Sequence, residues 1–515
     1  MFKRVLIANR GEIALRVQRT SRELGIETVA VYSEADRNAR HVREADLAVC
    51  IGPGPALESY LMIDKIIAAA KQTGAEAIHP GYGFLSENAR FVDACDAAGI
   101  TFIGPPGAAM QAMGDKVSAR KLMEAAGVPV VPGANDIDIN DLETARREGD
   151  RIGYPLMVKA AAGGGGRGIR LVQRAQDLAD AMRAAGSEAA SSFGDASIFL
   201  EKYVSPARHI EVQLMADAHG NVRTFGEREC SIQRRNQKVL EEAPSVAVTP
   251  EIRKRLCDAA AAAATSCGYR NAGTVEFLMD ADGSFYFLEM NARLQVEHPV
   301  TELVYGVDLV ALQLSVAAGE AIPDEIGLAE PHGWAIEARI NAEDAYNNFT
   351  PDLGLVEHVE LPTGPGVRFD TMLFDGLDLP VYYDSLLGKL IVWAENRDLA
   401  VRRLRRALSD LMVVGIETNA PFHRALLDHP DFQSGAFHTG WLESSFKMPA
   451  PPEEDPRERT ALLAAAIAAS VAGAESSAGG SAGGRTKWQQ ATREHAIGLR
   501  VQSGGGGWRR GIVSK

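Results

Sequence analysis

Two glutamates on either side of a turn offer the first chemistry in this chain. In GTVEFLMD (273–280) and FYFLEMN (285–291), apolar and polar residues alternate around the tetrapeptide ADGS. If Asp282-Gly283 forms a two-residue hairpin turn, Ala281 faces Ser284 and Glu276 falls directly opposite Glu289. Facing side chains lie roughly 5 Å apart. Two ionised carboxylates at that spacing repel by about 3 kcal/mol at an effective dielectric of about 20. Such a pair persists with a proton shared between the two or a cation bound between them. Asn291 adds a third hard oxygen on the same face, so the pattern predicts a magnesium site at Glu276, Glu289 and Asn291. Continued in extended form, Glu289, Asn291, Arg293, Gln295 and Glu297 share one face, with Met290, Ala292, Leu294 and Val296 on the other. One face of a half-buried sheet is often merely wet. Here a guanidinium, an amide and a further carboxylate beside a metal-type pair suit an anion held next to a metal, with a base at hand.

A second feature is the glycine run in AAAGGGGRG (160–168), which follows Lys159 between two predicted strands. Glycines let backbone amides approach phosphate oxygens, and Lys159 and Arg167 add charge. The run lacks the G-K-[ST] of a Walker loop. Lys116, Lys238, His209 and Arg234-Arg235 make further basic density in a chain whose formal charge is −14. That acidic balance argues against a nucleic-acid partner. Singly, each basic residue would more often mark a solvated face, and His209 a structural histidine.

The elements that must hold these groups can be read from periodicity. VLIA (5–8), TVAVY (28–32), LAVCIG (47–52), AIHP (77–80) and TFIG (101–104) read as buried parallel strands, with helices over 12–24, 61–72 and 87–98 between them. This is a doubly wound α/β unit, although only Gly11 follows the first strand where a dinucleotide fold would carry G-x-G-x-x-G. After Asp115, segments 155–160, 168–172 and 197–204 with a helix over 176–190 suggest a small α+β module. Antiparallel strands follow at 208–217, 221–228, 273–280 and 285–291, and 334–446 adds more strands and a basic helix, 397–412. Beyond Met448 the chain is rich in Ala, Pro, Ser and Gly, and 473–484 reads as a flexible linker before a short strand-like tail. With 46% hydrophobic and 24% charged residues over 515, the chain is a folded protein of several domains rather than a disordered one. Five cysteines without a C-x-x-C pair suit a reducing cytoplasm. No apolar run reaches about 18 residues, so no membrane partner is expected.

Taken together, IANRGEIALRV (7–17), IHPGYGFLSEN (78–88), MGDKVSAR (113–120), GGGGRG (163–168), EKYV (201–204), RHIEVQ (208–213), QRRNQKV (233–239), EMNARLQVEHPVTE (289–302) and IEARINAED (336–344) resemble the biotin carboxylase family of the ATP-grasp superfamily. The resemblance runs in order from about residue 1 to 446. It implies an N-terminal α/β domain (1–114), an ATP-grasp domain (115–330) with a mobile lid at about 131–204, and a C-terminal domain (331–446), ahead of a linker and tail (447–515). It also implies magnesium- or manganese-dependent activation of bicarbonate by ATP to carboxyphosphate, then carboxylation of biotin. By the same resemblance ATP is held by Lys116, Lys159, Gly163, Gly164, Gly165, Gly166, Glu201, Lys202, Tyr203, Val204, His209 and Asn236. Arg293, Gln295 and Val296 hold bicarbonate, and Lys238 lies near the transferring phosphate. Glu297 is the general base, and Arg339 stabilises the biotin enolate.

The implied partners are a second copy of the chain, a biotin carboxyl carrier and the carboxyltransferase of an acyl-CoA carboxylase. The chain departs from the family at several points. Position 236 is Asn, where many stand-alone members have His; propionyl- and methylcrotonyl-type subunits more often have Asn. Ala161-Ala162 and Ala292 replace commoner residues without removing a ligand. Pro365 stands near Arg368 where an aromatic side chain is usual at the homodimer contact, although Arg16, Arg19 and Glu23 are present. The competing readings are another ATP-grasp carboxylate ligase and an inactive scaffold subunit. No A-M-K-M-like string is present, so biotin is expected on a separate carrier or on a part of a longer subunit from which this chain is cut.

Overall fold

In the computed structural model, residues 1–451 are described apart from 140, 161–168, 194–195 and 328–329, with backbone only at 116–117, 135–136 and 192–193. The glycine run 163–166, the side chain of Lys116 and the tail beyond 451 therefore lie outside the described residues. Contact between residues divides the chain after Pro449.

The apolar run Arg4–Ile7 (β1) is almost wholly buried, which places it at the centre of a sheet. With Glu27–Ser33 (β2), Leu47–Gly52 (β3), Ala77–His79 (β4) and Thr101–Phe102 (β5) it makes a parallel five-stranded sheet in the order β3-β2-β1-β4-β5. The helices Gly11–Glu23, Ile63–Thr73 and Ala89–Ala97 connect it, close to their predicted spans. One expectation fails here. LAVCIG is an edge strand rather than a buried one, with Leu47, Ala48 and Cys50 exposed, because its sequence is apolar but only one neighbour covers it.

Gly133–Ile137 (β6), Leu156–Ala160 (β7), Ile169–Val172 (β8) and Ile198–Lys202 (β9) form an antiparallel four-stranded sheet in the order β6-β9-β7-β8. Its core is its own. Ile137, Leu156, Val158, Val172, Met182 and Leu200 pack with the helices Leu142–Ile152 and Leu178–Phe193.

The remaining sheet positions most of the site. Arg208–Ala216 (β10), Val222–Arg234 (β11), Gln237–Ala243 (β12), Asn271–Met279 (β13), Phe285–Asn291 (β14) and Trp334–Asn341 (β15) join the strands Leu386–Ala394 and Val367–Thr371 in one eight-stranded antiparallel sheet. Its order is β14-β13-β10-β11-β12-β15, then Leu386–Ala394, then Val367–Thr371. The architecture is thus α/β at the N-terminus and α+β beyond it. Among the described residues no single helix is long and apolar enough to cross a membrane. The helices His298–Tyr305 and Leu309–Ala317 pass that test only together, with a bend of 97° and much of both buried.

The β13–β14 hairpin corrects the predicted turn. Asp280 N–H donates to the Ser284 carbonyl at 2.8 Å, so the loop holds three residues, Ala281 to Gly283, not two. Gly283 takes φ +82°, a left-handed conformation that glycine adopts without a Cβ penalty. The longer loop moves the pairing by one residue: Met279 faces Phe285 and Phe277 faces Phe287. A bulge at Leu288 then moves it back, and Glu276 faces Glu289 after all. The extended reading past Asn291 also fails. The strand ends there, and residues 292–297 turn into the helix His298–Tyr305, whose first turn accommodates Pro299.

Candidate active site

Lys238, near the start of β12, is the hub of the site. Its ammonium donates to Glu211 Oε2 (2.5 Å), Glu297 Oε1 (2.6 Å) and Glu276 Oε1 (2.9 Å), joining β10, β13 and the loop before the helix His298–Tyr305. Burial alone would lower the Lys238 pKa, but the three carboxylates outweigh it and hold the ammonium well above its usual range. The reverse holds at the carboxylates. Burial would raise Glu276, yet Lys238 and then His209 pull it well below the ordinary value. Glu297 is likewise lowered, against burial, by Lys238, Arg339 and Arg228. All three carboxylates are buried, which is tolerable only because each is paired.

The residues around Glu276 converge although the strand does not continue. Its Oε1 also accepts from Asn291 Nδ2 (2.9 Å) and Gln295 Nε2 (2.8 Å), and its Oε2 lies 2.9 Å from His209 Nε2. His209 is buried, which lowers a histidine pKa, but Glu276 overcomes this and the net shift is upward. Arg293 reaches the same corner. Its Nη2 donates to Asn291 Oδ1 (2.9 Å) and its Nε to Glu87 Oε2 (3.0 Å) on the N-terminal unit. Arg339, on β15, donates through Nη2 to Glu297 Oε2 (2.9 Å) and through Nε to Glu241 Oε1 (2.6 Å). Val296 is present through its carbonyl, which accepts from Lys389 Nζ at 2.8 Å.

Glu289 is the exposed member of the facing pair and Glu276 the buried one. Two carboxylates and the Asn291 carboxamide are the hard oxygen donors a magnesium ion takes, so this donor set fits that ion. A second group of possible ligands, His209, Glu211 and Glu276, brings its donor atoms within 4.8 Å of one another. There the Lys238 ammonium and the Arg228 guanidinium already neutralise Glu211, so the protein's own cations occupy that group.

Of the predicted nucleotide residues that are described, Lys159 lies on β7, Glu201 and Lys202 on β9, His209 on β10 and Asn236 in the β11–β12 turn. Lys159 donates to Glu201 Oε2, and Arg120 Nη1 donates to Glu201 Oε1 at 3.1 Å. Lys202 is exposed, Tyr203 half-buried and Val204 buried against Val131 and Ala207. Arg235 and Asn236 form a two-residue turn with φ +51° and +64°, the twist-matched hairpin type in which Asn is favoured. Asn236 thus has a backbone reason for its place. An open cleft of about 550 Å³ beside β5, lined by Asp96, Phe102 and Arg270, contains none of the predicted site residues.

Comparison with known proteins finds three family models along the chain. Residues 1–110 match the family described as "Biotin carboxylase, N-terminal domain", 115–325 "Carbamoyl-phosphate synthase L chain, ATP binding domain", and 337–444 "Biotin carboxylase C-terminal domain". Biotin carboxylase 1 of Bacillus subtilis is 50% identical over 445 residues, covering 86% of this chain and 99% of that protein. The chain belongs to the biotin carboxylase family. A biotin carboxylase from Campylobacter jejuni, described as a β,γ-ATP complex, superposes with a TM-score of 0.82 at 46% identity, covering 86% of this chain and 99% of that one. The biotin carboxylase domain of the Hydrogenobacter thermophilus 2-oxoglutarate carboxylase, described with MgADP and bicarbonate, gives 0.80 at 48%, covering 86% and 97%. The propionyl-CoA carboxylase alpha chain of Ruegeria pomeroyi is 48% identical over 489 residues, covering 90% of this chain and 72% of that one.

Several residues of this biotin carboxylase site escaped the sequence reading. Glu211 and Arg228 are among them. Arg228 is fully buried and donates to Glu211, Gln213, Thr274, Gln295 and Thr301. Glu211 was legible in principle, two residues after His209 and so on the same strand face. Arg228 closed a predicted strand and carried no such mark. The two arginines expected at a homodimer contact pair within the chain, Arg16 with Glu302 (2.7 Å) and Asp308 (2.8 Å) and Arg19 with Asp370 (3.0 Å), and nearby Arg368 pairs with Glu302 (2.7 Å) and Asp370 (2.6 Å).

Proposed function

We propose that this chain is a biotin carboxylase that uses ATP to activate bicarbonate and carboxylates biotin on a carrier. The observation that carries the reading is Lys238, which ties a metal-type carboxylate, Glu276, to a second carboxylate, Glu297, whose other oxygen is held by Arg339. Bicarbonate beside Arg293, Gln295 and the Val296 backbone would give its proton to Glu297 and attack the γ-phosphorus through oxygen. ADP leaves, and the product is carboxyphosphate. Its breakdown releases carbon dioxide, the phosphate takes the N1′ proton of biotin, and N1′ of the resulting enolate, whose charge Arg339 balances, attacks the carbon dioxide to give carboxybiotin. Joining two anions needs neutralisation more than covalent help, and a dense cationic cluster supplies it. Glu276, Glu289 and Asn291 would hold a magnesium ion, which offsets phosphate charge.

The resting electrostatics add one requirement. Glu297 is a weak base while Lys238 and Arg339 both hold it. Phosphate and biotin must draw those cations away before Glu297 can accept a proton, so the base is armed by substrate binding.

We assign the nucleotide to Lys116, Lys159, Gly163 to Gly166, Glu201 to Val204, His209 and Asn236. We place the domains at 1–114, 115–330 and 331–446, with the lid at about 131–204; the separate core of the four-stranded sheet supports that lid. The relatives are named as parts of carboxylases of several kinds, among them a component of the pyruvate carboxylase of Methanothermobacter thermautotrophicus at 51% identity. The partners we therefore propose are a biotin carrier and a carboxyltransferase, and the transferase would choose the acyl acceptor. ADP release from magnesium and ATP, measured with and without bicarbonate and free biotin, tests the reading. Stimulation by both supports it. Release indifferent to both leaves an inactive scaffold or another ligase.

A further inference from the structure

Behind Arg339 lies a pair of acidic residues that the reaction above does not use. Glu241 on β12 and Glu337 on β15 face each other directly in the antiparallel register, and both are 0% exposed. Glu241 Oε1 is occupied, accepting from Arg339 Nε at 2.6 Å and lying 2.5 Å from Nη2. Among the described residues, Glu241 Oε2 and both oxygens of Glu337 have no hydrogen-bond partner. Glu337 shares its face of β15 with Ala335 and Arg339, above the apolar cluster Ala243, Val300, Val304, Ala335 and Ile391. Those side chains offer it no donor.

An ionised carboxylate without a donor, beside a second ionised carboxylate and over an apolar floor, is among the costliest arrangements in a protein interior. A single proton removes the conflict. A neutral carboxyl has one O–H to give, and Glu241 Oε2 is the unpartnered acceptor across the strand pair. We propose that Glu337 and Glu241 hold one shared proton, and that this singly charged pair positions the Arg339 guanidinium between Glu241 and Glu297. Glu337 is then a positioning residue, acting on biotin through Arg339. The proposal rests on the reading of Arg339 as the biotin-facing cation.

The other charged groups around Glu337 do not replace that proton. On the neighbouring strand Lys389 faces Arg339, but it donates to the Val296 carbonyl and lies 3.5 Å from Glu12 Oε2. Glu12 of the helix Gly11–Glu23 and Glu297 add negative charge. On the helix His298–Tyr305, Glu302 is paired with Arg16 and Arg368, and His298 is held neutral by burial and then by Lys389. Burial pushes the Glu337 carboxyl well above its ordinary range and Glu241 upward as well. The proton belongs on Glu337, because Glu241 is clamped by Arg339. A raised value means the proton is held at neutral pH and lost as pH climbs through it. Its loss would add a second negative charge behind Arg339 and draw the guanidinium back from biotin.

The test combines infrared difference spectroscopy and kinetics on the full chain. The wild-type minus Glu337→Gln difference spectrum at neutral pH should contain the carbonyl stretch of one protonated carboxyl group, over a background that both share from Glu12, which burial lifts to about 7. Glu337→Leu, which removes the donor, should raise KM for free biotin about tenfold, while KM for ATP stays within about twofold. Glu337→Gln, which keeps an N–H toward Glu241, should bring biotin KM back to within about threefold of wild type and abolish its rise at alkaline pH. Absence of that band from the wild-type minus Glu337→Gln difference spectrum overturns the shared proton. A band lost as expected with biotin KM unmoved in both variants overturns the positioning role alone, whereas an unmoved biotin KM in Arg339→Ala would overturn the assignment of Arg339 to biotin. If Glu337→Leu does not fold, the band and the alkaline biotin KM of Glu337→Gln decide the matter.

Discussion

Replacing Lys238 by methionine removes one charge from the centre of the site while keeping most of the side-chain volume. The ammonium lies 2.5, 2.9 and 2.6 Å from oxygens of Glu211, Glu276 and Glu297. A charge-assisted hydrogen bond contributes about 1.5–3 kcal/mol, but the three do not simply add. Glu211 keeps Arg228, Glu297 keeps Arg339, and Glu276 keeps His209, Asn291 and Gln295. Removing one partner from a buried ionic cluster costs about 3–5 kcal/mol, and that is the loss expected here at pH 8. The pH dependence carries the sharper test. Lys238 holds Glu276 and Glu297 below the ordinary carboxylate value of 4.5, so its contribution is fully present above that pH. It fades as pH falls through their folded values. Lys238→Met should therefore be most destabilised at pH 8 and approach wild type as pH drops below 4.5. Urea unfolding followed by tryptophan fluorescence measures both limbs. In parallel, bicarbonate-dependent turnover should fall about 100- to 1,000-fold, the usual loss of a preorganised charge. A stability change under about 1 kcal/mol at pH 8, or one unaffected by pH, would refute the reasoning.

Other expectations follow from the same contacts. Glu297→Gln should lower turnover about 100- to 10,000-fold with ATP affinity nearly unchanged, and equal turnover would remove Glu297 from the mechanism. Lys159 is partly exposed beside Glu201, so Lys159→Gln should raise KM for ATP at least about tenfold while costing under about 1 kcal/mol of stability, checked by kinetics and thermal melting. Acid stability should be flat and then fall. His41, His79 and His423 are held by burial near 4 rather than 6.5, so falling pH destabilises through them, whereas burial lifts Glu12 to about 7 and falling pH stabilises through it and Glu337. These oppose between 6.5 and 4.5. Below 4.5, Glu276, Glu297 and Asp370 must take protons and stability should drop; a steep loss already at pH 6 would contradict this. Co-expression with a biotin ligase should leave the intact mass unchanged, and an added biotin would contradict a separate carrier.

The hairpin shows how much of the site was legible and why. Alternation and the Asp-Gly pair placed Glu276 opposite Glu289, yet the loop has one more residue than expected and a bulge at Leu288 compensates. The conclusion survived because the buried residues on each side of the bulge, Phe287 and Met290, fix the register on both flanks. Past Asn291 the period-two reading failed. Arg293, Gln295 and Glu297 nevertheless meet, held by Asn291, Glu276 and Lys238 rather than by strand geometry. Arg228, Glu241 and Glu337 were not legible as a site. Each is a charged residue on a buried stretch of strand, and its meaning depends on partners on other strands, distant in sequence. Burial likewise separates Glu276 from Glu289, a difference that residue type does not encode.

If bicarbonate attacks ATP through oxygen at this site, its oxygen must end on phosphorus, and isotope transfer follows that oxygen. With ¹⁸O-labelled bicarbonate, magnesium, ATP and free biotin, the account predicts a single ¹⁸O in each phosphate released, because the attacking oxygen stays with phosphorus when carboxyphosphate breaks down. Phosphate that carries only oxygen from ATP and water, at an undiminished rate of ADP formation, would contradict it.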